Sequence, residues 1–242
     1  MRVVFVSLCL CILTLAGCAQ MPPTTSNSIP ASTDPDRLSY QAAAMNFITV
    51  VDRMQPVIER ECRDRTRHVV RNCEFRIMVD DRSDQEPNAF QTLDRRGRPI
   101  VAFNLALIAA AHNQDELAFV MAHEAAHHIE GHLQSKEHDA IAGASMLSSI
   151  VAASGGSASA VRHAQNMGAE VGALTFAKDY ELQADRLGTV ITWDAGYDPL
   201  KGAQFFARIP DPGEVFLGSH PANALRIDMV KKTVAELKHG TI

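Results

Sequence analysis

Leu38, Ala42, Met45, Ile48 and Val51 recur at intervals of three and four with polar residues between them, the stripe of a helix that buries one face. Asp34 followed by Pro35 reads as a cap and a first helical residue, so the pattern predicts a long helix from there to about Arg65. Three short β-rich runs follow, FRIMVD at 75–80, NAFQTL at 88–93 and PIVAFN at 99–104, separated by polar segments that include Gly97. They predict a small, mostly antiparallel sheet. Asn113 with Glu116 three residues on is the capping pattern of a new helix, carried by Leu117, Val120 and Met121 and ending near Gly131. From 139 to 177 Ala, Gly and Ser dominate, which predicts two small-residue helices with a flexible tip at Gly155-Gly156, a candidate lid. The apolar run 140–153 is broken by Ser145, Ser148 and Ser149 and falls short of the roughly 20 residues a bilayer needs. Helices are expected again at 178–193, 199–208 and 222–238. The class is α+β, a mainly helical domain with a small antiparallel sheet beside the helix that opens at Asn113.

The N-terminal pattern is of another kind. One basic residue, Arg2, precedes an apolar run from Val3 to Leu15, the pattern of a cleaved signal or a short anchor, and Leu15-Ala16-Gly17-Cys18 resembles the bacterial lipobox, whose cysteine becomes lipid-modified. The resemblance implies a lipoprotein signal peptide over 1–17, with Cys18 acylated, and Ala19 beside it resembles the signal for passage to the outer membrane. Residues 18–34, rich in Pro, Ser and Thr, carry too little apolar surface to fold and read as a flexible tether. The folded domain is expected over 35–242. The location implied is the bacterial cell envelope, in the periplasm and anchored through Cys18, with the outer membrane favoured.

Composition changes this picture little. With 23 basic and 28 acidic residues the formal charge is -5 and no basic block stands out, which excludes a nucleic-acid partner. Of the five cysteines, Cys9 and Cys11 belong to the signal and Cys18 to the lipid, leaving Cys62 and Cys73. An oxidising compartment favours a disulfide between them, contributing about 2 to 3 kcal/mol by closing a short loop; the alternative is two buried free thiols.

Candidate chemistry is concentrated in FVMAHEAAHHIEGH, residues 119–132. His123-Glu124-Ala125-Ala126-His127 is HExxH. On a helix the two histidines share a face one turn apart, able to hold one cation, while Glu124 is offset enough to hold a water instead. Helical geometry carries His128 and His132 away from that face, as surface groups or as partners of the ligands. For the third ligand, a metzincin would need histidine at 133, which is Leu, and a thermolysin-like site would need glutamate where Met146 and Leu147 stand. Glu181 in KDYELQADRLG remains, with Asp185 one turn beyond it as a carboxylate able to hydrogen-bond a ligand histidine.

HEAAH at 123, ELQAD at 181 and SHPANALRI at 219, with NAF at 88, occur in an order that resembles the gluzincin family of HtpX and the CaaX prenyl protease, and most closely its soluble lipoprotein members. The resemblance implies a zincin metalloprotease domain in which His123, His127 and Glu181 bind zinc (Zn2+) and Glu124 is the general base. It further implies that Asp185 orients a ligand histidine, that His220 lies near the metal, and that His220 or Arg226 stabilises the oxyanion. Where relatives show a Gly-Gly turn and then Gly-Leu, this chain has DRRGRPIVAFNLAL, which sets its substrate-facing strand apart. An edge such as residues 99–104 would hold an extended peptide by strand addition. The implied activity is a zinc-dependent endopeptidase acting on unfolded or misassembled periplasmic and outer-membrane proteins, with outer-membrane assembly machinery as a further partner. A different class of function, a gated or inactive zinc-binding chaperone at the outer membrane, would use the same ligands without the chemistry. The intact Glu124 weighs against it.

Overall fold

The computed structural model describes residues 38–67, 69, 71–82, 85–211 and 221–242. The expected signal segment 1–17, the tether with Cys18, the Asp34–Pro35 cap and His220 lie outside these residues. All the described residues fall within one unit, Asp36–Ile242.

The first helix, α1 (Tyr40–Arg65), starts at a cap the sequence reading passed over: Ser39 accepts from the Ala42 amide at 3.2 Å. Its buried stripe runs through Ala43, Phe47, Val50, Met54, Ile58 and Cys62. Three strands follow, β1 (Arg76–Asp80), β2 (Ala89–Leu93) and β3 (Pro99–Asn104). Their order is β1-β3-β2, with β3 parallel to β1 and antiparallel to β2, so the sheet is small as expected but mixed. The edge assigned to residues 99–104 is corrected by this topology. β3 is central, pairs on both sides and is almost wholly buried, and among the described residues the edge strand that lines the cavity with HExxH is β2.

A short helix, α2 (Leu105–Ala110), grows directly from β3, because the Asn104 side chain caps it by accepting from the Leu107 amide at 2.8 Å. Next, α3 (Gln114–Glu130) opens at the expected Asn113 cap, whose Oδ1 accepts from the Glu116 amide at 3.0 Å, and closes at Gly131. Thirteen of its 17 residues are buried, so it has no polar face; it is the central rod on which the other elements pack. Edge-on aromatic pairs tie the surrounding layers together, Phe47 against Phe103 between α1 and β3 and Phe119 against Phe206 on the far side of α3.

The Ala/Gly/Ser region forms an antiparallel hairpin, α4 (His132–Ala153) and α5 (Ala158–Thr175). Its interior is small, with Ala164, Gly168 and Gly172 buried, while Ile141, Met146, Ile150, Met167 and Val171 are exposed. Among the described residues no helix is long and apolar enough to cross a membrane. The chain then returns to the core as α6 (Ala177–Asp194), α7 (Pro199–Gly202), α8 (Gln204–Arg208) and α9 (Asn223–Lys238). Cys62 and Cys73 are bonded, Cα atoms 5.7 Å apart, joining the end of α1 to the approach to β1.

Candidate metal centre

His123 and His127 project from the middle of α3, one turn apart, with Nε2 atoms 3.1 Å from each other. Opposite them α6 brings Glu181, whose Oε2 is 3.4 Å from His123 Nε2 and whose Oε1 is 3.4 Å from His127 Nε2. Ligands about 2.0–2.1 Å from a tetrahedral zinc stand roughly 3.3–3.4 Å apart. The spacing of the two imidazole nitrogens, and of each from the nearer oxygen of the Glu181 carboxylate, is therefore that of neighbouring ligands on one zinc, and two imidazoles with one carboxylate are a donor set suited to that ion. The close approach of α6 depends on Gly188: a Cβ there would sit 3.0 Å from the His123 amide nitrogen and 3.1 Å from its Cα.

Behind the triangle each polar group has a partner. Asp185 is fully buried, with Oδ1 3.0 Å from His123 Nδ1. Arg226 of α9 holds the same carboxylate in a fork, Nε donating to Oδ2 at 2.8 Å and Nη2 to Oδ1 at 2.7 Å. Its guanidinium also lies 3.7 Å from the Phe206 ring centroid. Arg226 thus stands beside the triangle, as expected, but with its charge paired to Asp185 and only 3.8 Å from Glu181. Despite its burial, Arg226 keeps Asp185 below the usual carboxylate range.

The two histidines differ electrostatically. Burial and the Arg226 charge act to lower His123, but the hydrogen bonds it donates to the Asp185 and Glu181 carboxylates outweigh them and hold it up at about 9. Burial and then the neighbouring His123 charge push His127 down to about 2. In the metal-free protein at neutral pH the pair therefore carries one positive charge, on His123. Burial pushes Glu124 up to about 7, a value that a bound cation would draw down.

Glu124 lines a cavity of about 990 Å³ together with the three metal-facing residues. On one side lies the edge strand, through Asn88, Ala89 and Phe90; on the other lie Phe205, Phe206 and Ile209. That second wall is pinned to α3 by Glu116, 1% exposed, which accepts from Arg208 Nη1 and Nη2 at 2.6 Å each.

The family model for peptidase family M48 matches residues 54–234. The chain belongs to peptidase family M48. It is similar to a putative beta-barrel assembly-enhancing protease of Vibrio cholerae serotype O1 (strain ATCC 39315 / El Tor Inaba N16961), 36% identical over 121 residues. That alignment covers 46% of this chain and 24% of the relative, so the chain spans about a quarter of that protein. The His123, His127 and Glu181 arrangement is the HExxH-plus-glutamate site of the M48 metallopeptidases.

For His128 and His132 of this M48 site the sequence left two readings, surface groups or partners of the ligands, and the second holds for His132. His128 and His132 are both buried, 4% and 2% exposed, and neither is a surface group. His128 bonds the Asn72 carbonyl through Nε2 at 2.7 Å, and His132 lies against His127. What misdirected His132 was carrying the helix phase past Gly131, the residue already read as the helix end. A helix that ends there cannot be extrapolated to residue 132.

Proposed function

We propose that this M48 peptidase is a zinc endopeptidase of the bacterial cell envelope that cleaves extended segments of unfolded or misassembled periplasmic and outer-membrane proteins. The metal-sized triangle of His123, His127 and Glu181, with Glu124 in the wall of an edge-strand cleft, is the observation that carries this reading. The β2 edge favours a chain free to add as a strand over one already folded. The name of the Vibrio relative adds support for substrates among β-barrel proteins in assembly. The lipobox at Cys18 supports anchoring, with the domain over 35–242 held near the membrane by the tether.

When bound, zinc supplies Lewis acidity and lowers the pKa of a water toward about 7. The chain's own residues do the rest. Glu124 accepts a proton from the attacking water and delivers it to the leaving amine. Asp185 accepts from His123 Nδ1 and so leaves the Nε2 lone pair for the cation, and Arg226 holds Asp185 ionised for that task. For the oxyanion, His220 is assigned by resemblance and Arg226 by its place beside the triangle.

The test is cleavage of reduced casein by the full-length protein beside Glu124→Gln, with zinc content measured on both. The expected result is zinc in both proteins and cleavage by the parent alone, abolished by a chelator. Equal zinc with no cleavage by either would favour the gated chaperone instead.

A further inference from the structure

We propose that His132 is a positioning residue for the metal, its Nδ1 lone pair accepting the Nδ1–H of His127 so that His127 turns an unprotonated Nε2 toward the cation. This rests on the reading of His127 as a ligand and extends it to a residue outside HExxH.

The two Nδ1 atoms are 2.9 Å apart, so between two neutral rings one donates and one accepts. The other nitrogen of His132 decides which. Its Nε2 faces Gln183 Oε1 at 3.3 Å, an arrangement satisfied when Nε2 carries the hydrogen and Nδ1 the lone pair. The reverse assignment would turn the lone pair of His132 Nε2 against an oxygen acceptor. It would also leave the hydrogen of His127 on Nε2, pointing at Glu181 and His123 where the cation must sit. Helix α6 thus contributes twice: Glu181 as a ligand and, two residues on, Gln183 as the group that sets the direction of the chain.

Local sequence explains how His132 arrives there. Gly131 has φ +80°, a left-handed conformation that ends α3, and a Cβ at this position would come within 2.7 Å of Arg71 Nη2. A new helix begins at His132 itself and the turn folds its ring back over His127, with ring centroids 5.0 Å apart. The ring of His132 stacks on Tyr180, centroids 4.8 Å apart, and the Tyr180 hydroxyl donates to Asp139 Oδ2 at 2.6 Å. The ring is clamped, which is what a group that orients another ring must be.

A ring that only fills space would show the same packing, and two substitutions separate the cases. His132→Phe keeps an aromatic ring on Tyr180 but has no acceptor. His132→Asn loses the ring but places an amide oxygen near the position of Nδ1. Zinc affinity of the full chain is measured by chelator competition, with the melting temperature of each metal-free protein as a check on folding. His132→Phe should weaken zinc binding by about 10- to 100-fold with an unchanged metal-free melting temperature, while His132→Asn stays close to the parent. Gln183→Leu should fall between them. The proposal is overturned if His132→Phe binds zinc like the parent, or if both variants lose affinity in step with metal-free stability. A parent chain that takes up no zinc would sink the metal-centre reading and this proposal together.

Discussion

Helices α3 and α6 approach closely at Gly188, and helices α4 and α5 approach closely at Gly143, Gly168 and Gly172, where added Cβ atoms would meet backbone carbonyls or Cα atoms of the facing helix. The first contact encloses His123, Glu181 and Asp185, and α9 adds Arg226 beside them, all buried and all partnered. The second encloses small apolar residues and leaves its larger apolar side chains outside. Close backbone approach is therefore not what makes a site. The difference lies in desolvated charge: removing one member of the α3–α6 network strands the others in a place where unpaired charge is costly. At its own glycine contacts the hairpin buries no such members; its polar links to the site, His132 and Lys136, lie at the start of α4.

The largest expected effect comes from taking a carboxylate out of each pair. Glu181→Ala should weaken zinc binding by more than about 100-fold, since even the hydrogen-bond partners of ligands are worth roughly 10- to 100-fold. Glu170→Ala on the exposed face of α5 should leave zinc affinity where it was. Chelator competition on both proteins reads the contrast directly, and an unchanged affinity in Glu181→Ala would remove α6 from the metal site.

Protons give a second, smaller contrast within α3. His123 is held up at about 9 by the Asp185 and Glu181 hydrogen bonds, against burial and Arg226, whereas His127 is pushed down to about 2. Below pH 9 the metal-free site carries a proton on His123 that zinc must displace, so affinity rises with pH, by about tenfold per unit between pH 7 and 8.5, and levels off above 9. His127 has no proton to lose in that range. Calorimetry in buffers of different ionisation enthalpy should find at least one proton released at pH 7.5, that of His123, with Glu124 adding to it. A flat profile would mean that Asp185 does not hold the charge on His123.

How far the sequence could foresee this network depends on the range of the forces involved. Helical spacing within HExxH, the Asn113 cap and the β-rich runs are local, and they placed α3 and the three strands within a residue of where they lie. Glu181 and Asp185 were found by the resemblance and by their one-turn spacing. What was lost depends on contacts between distant segments. β1 pairs in parallel with β3, which moves the open edge to β2, and no local pattern encodes that order. The helix start at Tyr40 was hidden because Ser39 competes with the equally plausible Asp34–Pro35 signal. His132, rightly allowed as a partner of the ligands, was pointed the wrong way for a reason present in the sequence: a glycine that ends one helix resets the phase of everything after it. The pairing of Glu116 with Arg208, 92 residues apart, left no trace in spacing at all.

The finest test of the comparison adds one methyl group to each pair. In Gly188→Ala the new Cβ would lie 3.0 Å from the His123 nitrogen, so α6 must retreat by a few tenths of an ångström and carry Glu181 and Asp185 with it. A misplacement of about 1 Å can cost on the order of 100-fold, so this smaller one should lower kcat/KM by about tenfold, with a matching loss of zinc affinity. In Gly168→Ala the new Cβ meets the Gly143 carbonyl and the Leu147 Cβ, a backbone clash that should cost about 1–3 kcal/mol of stability. Yet it lies along the hairpin from His132, and below its melting transition the variant should keep the parent's kcat/KM and zinc affinity. If Gly168→Ala lost activity as Gly188→Ala does while remaining folded, the hairpin would be coupled to the metal through the His132 end of α4. The two glycine contacts would then be parts of one device.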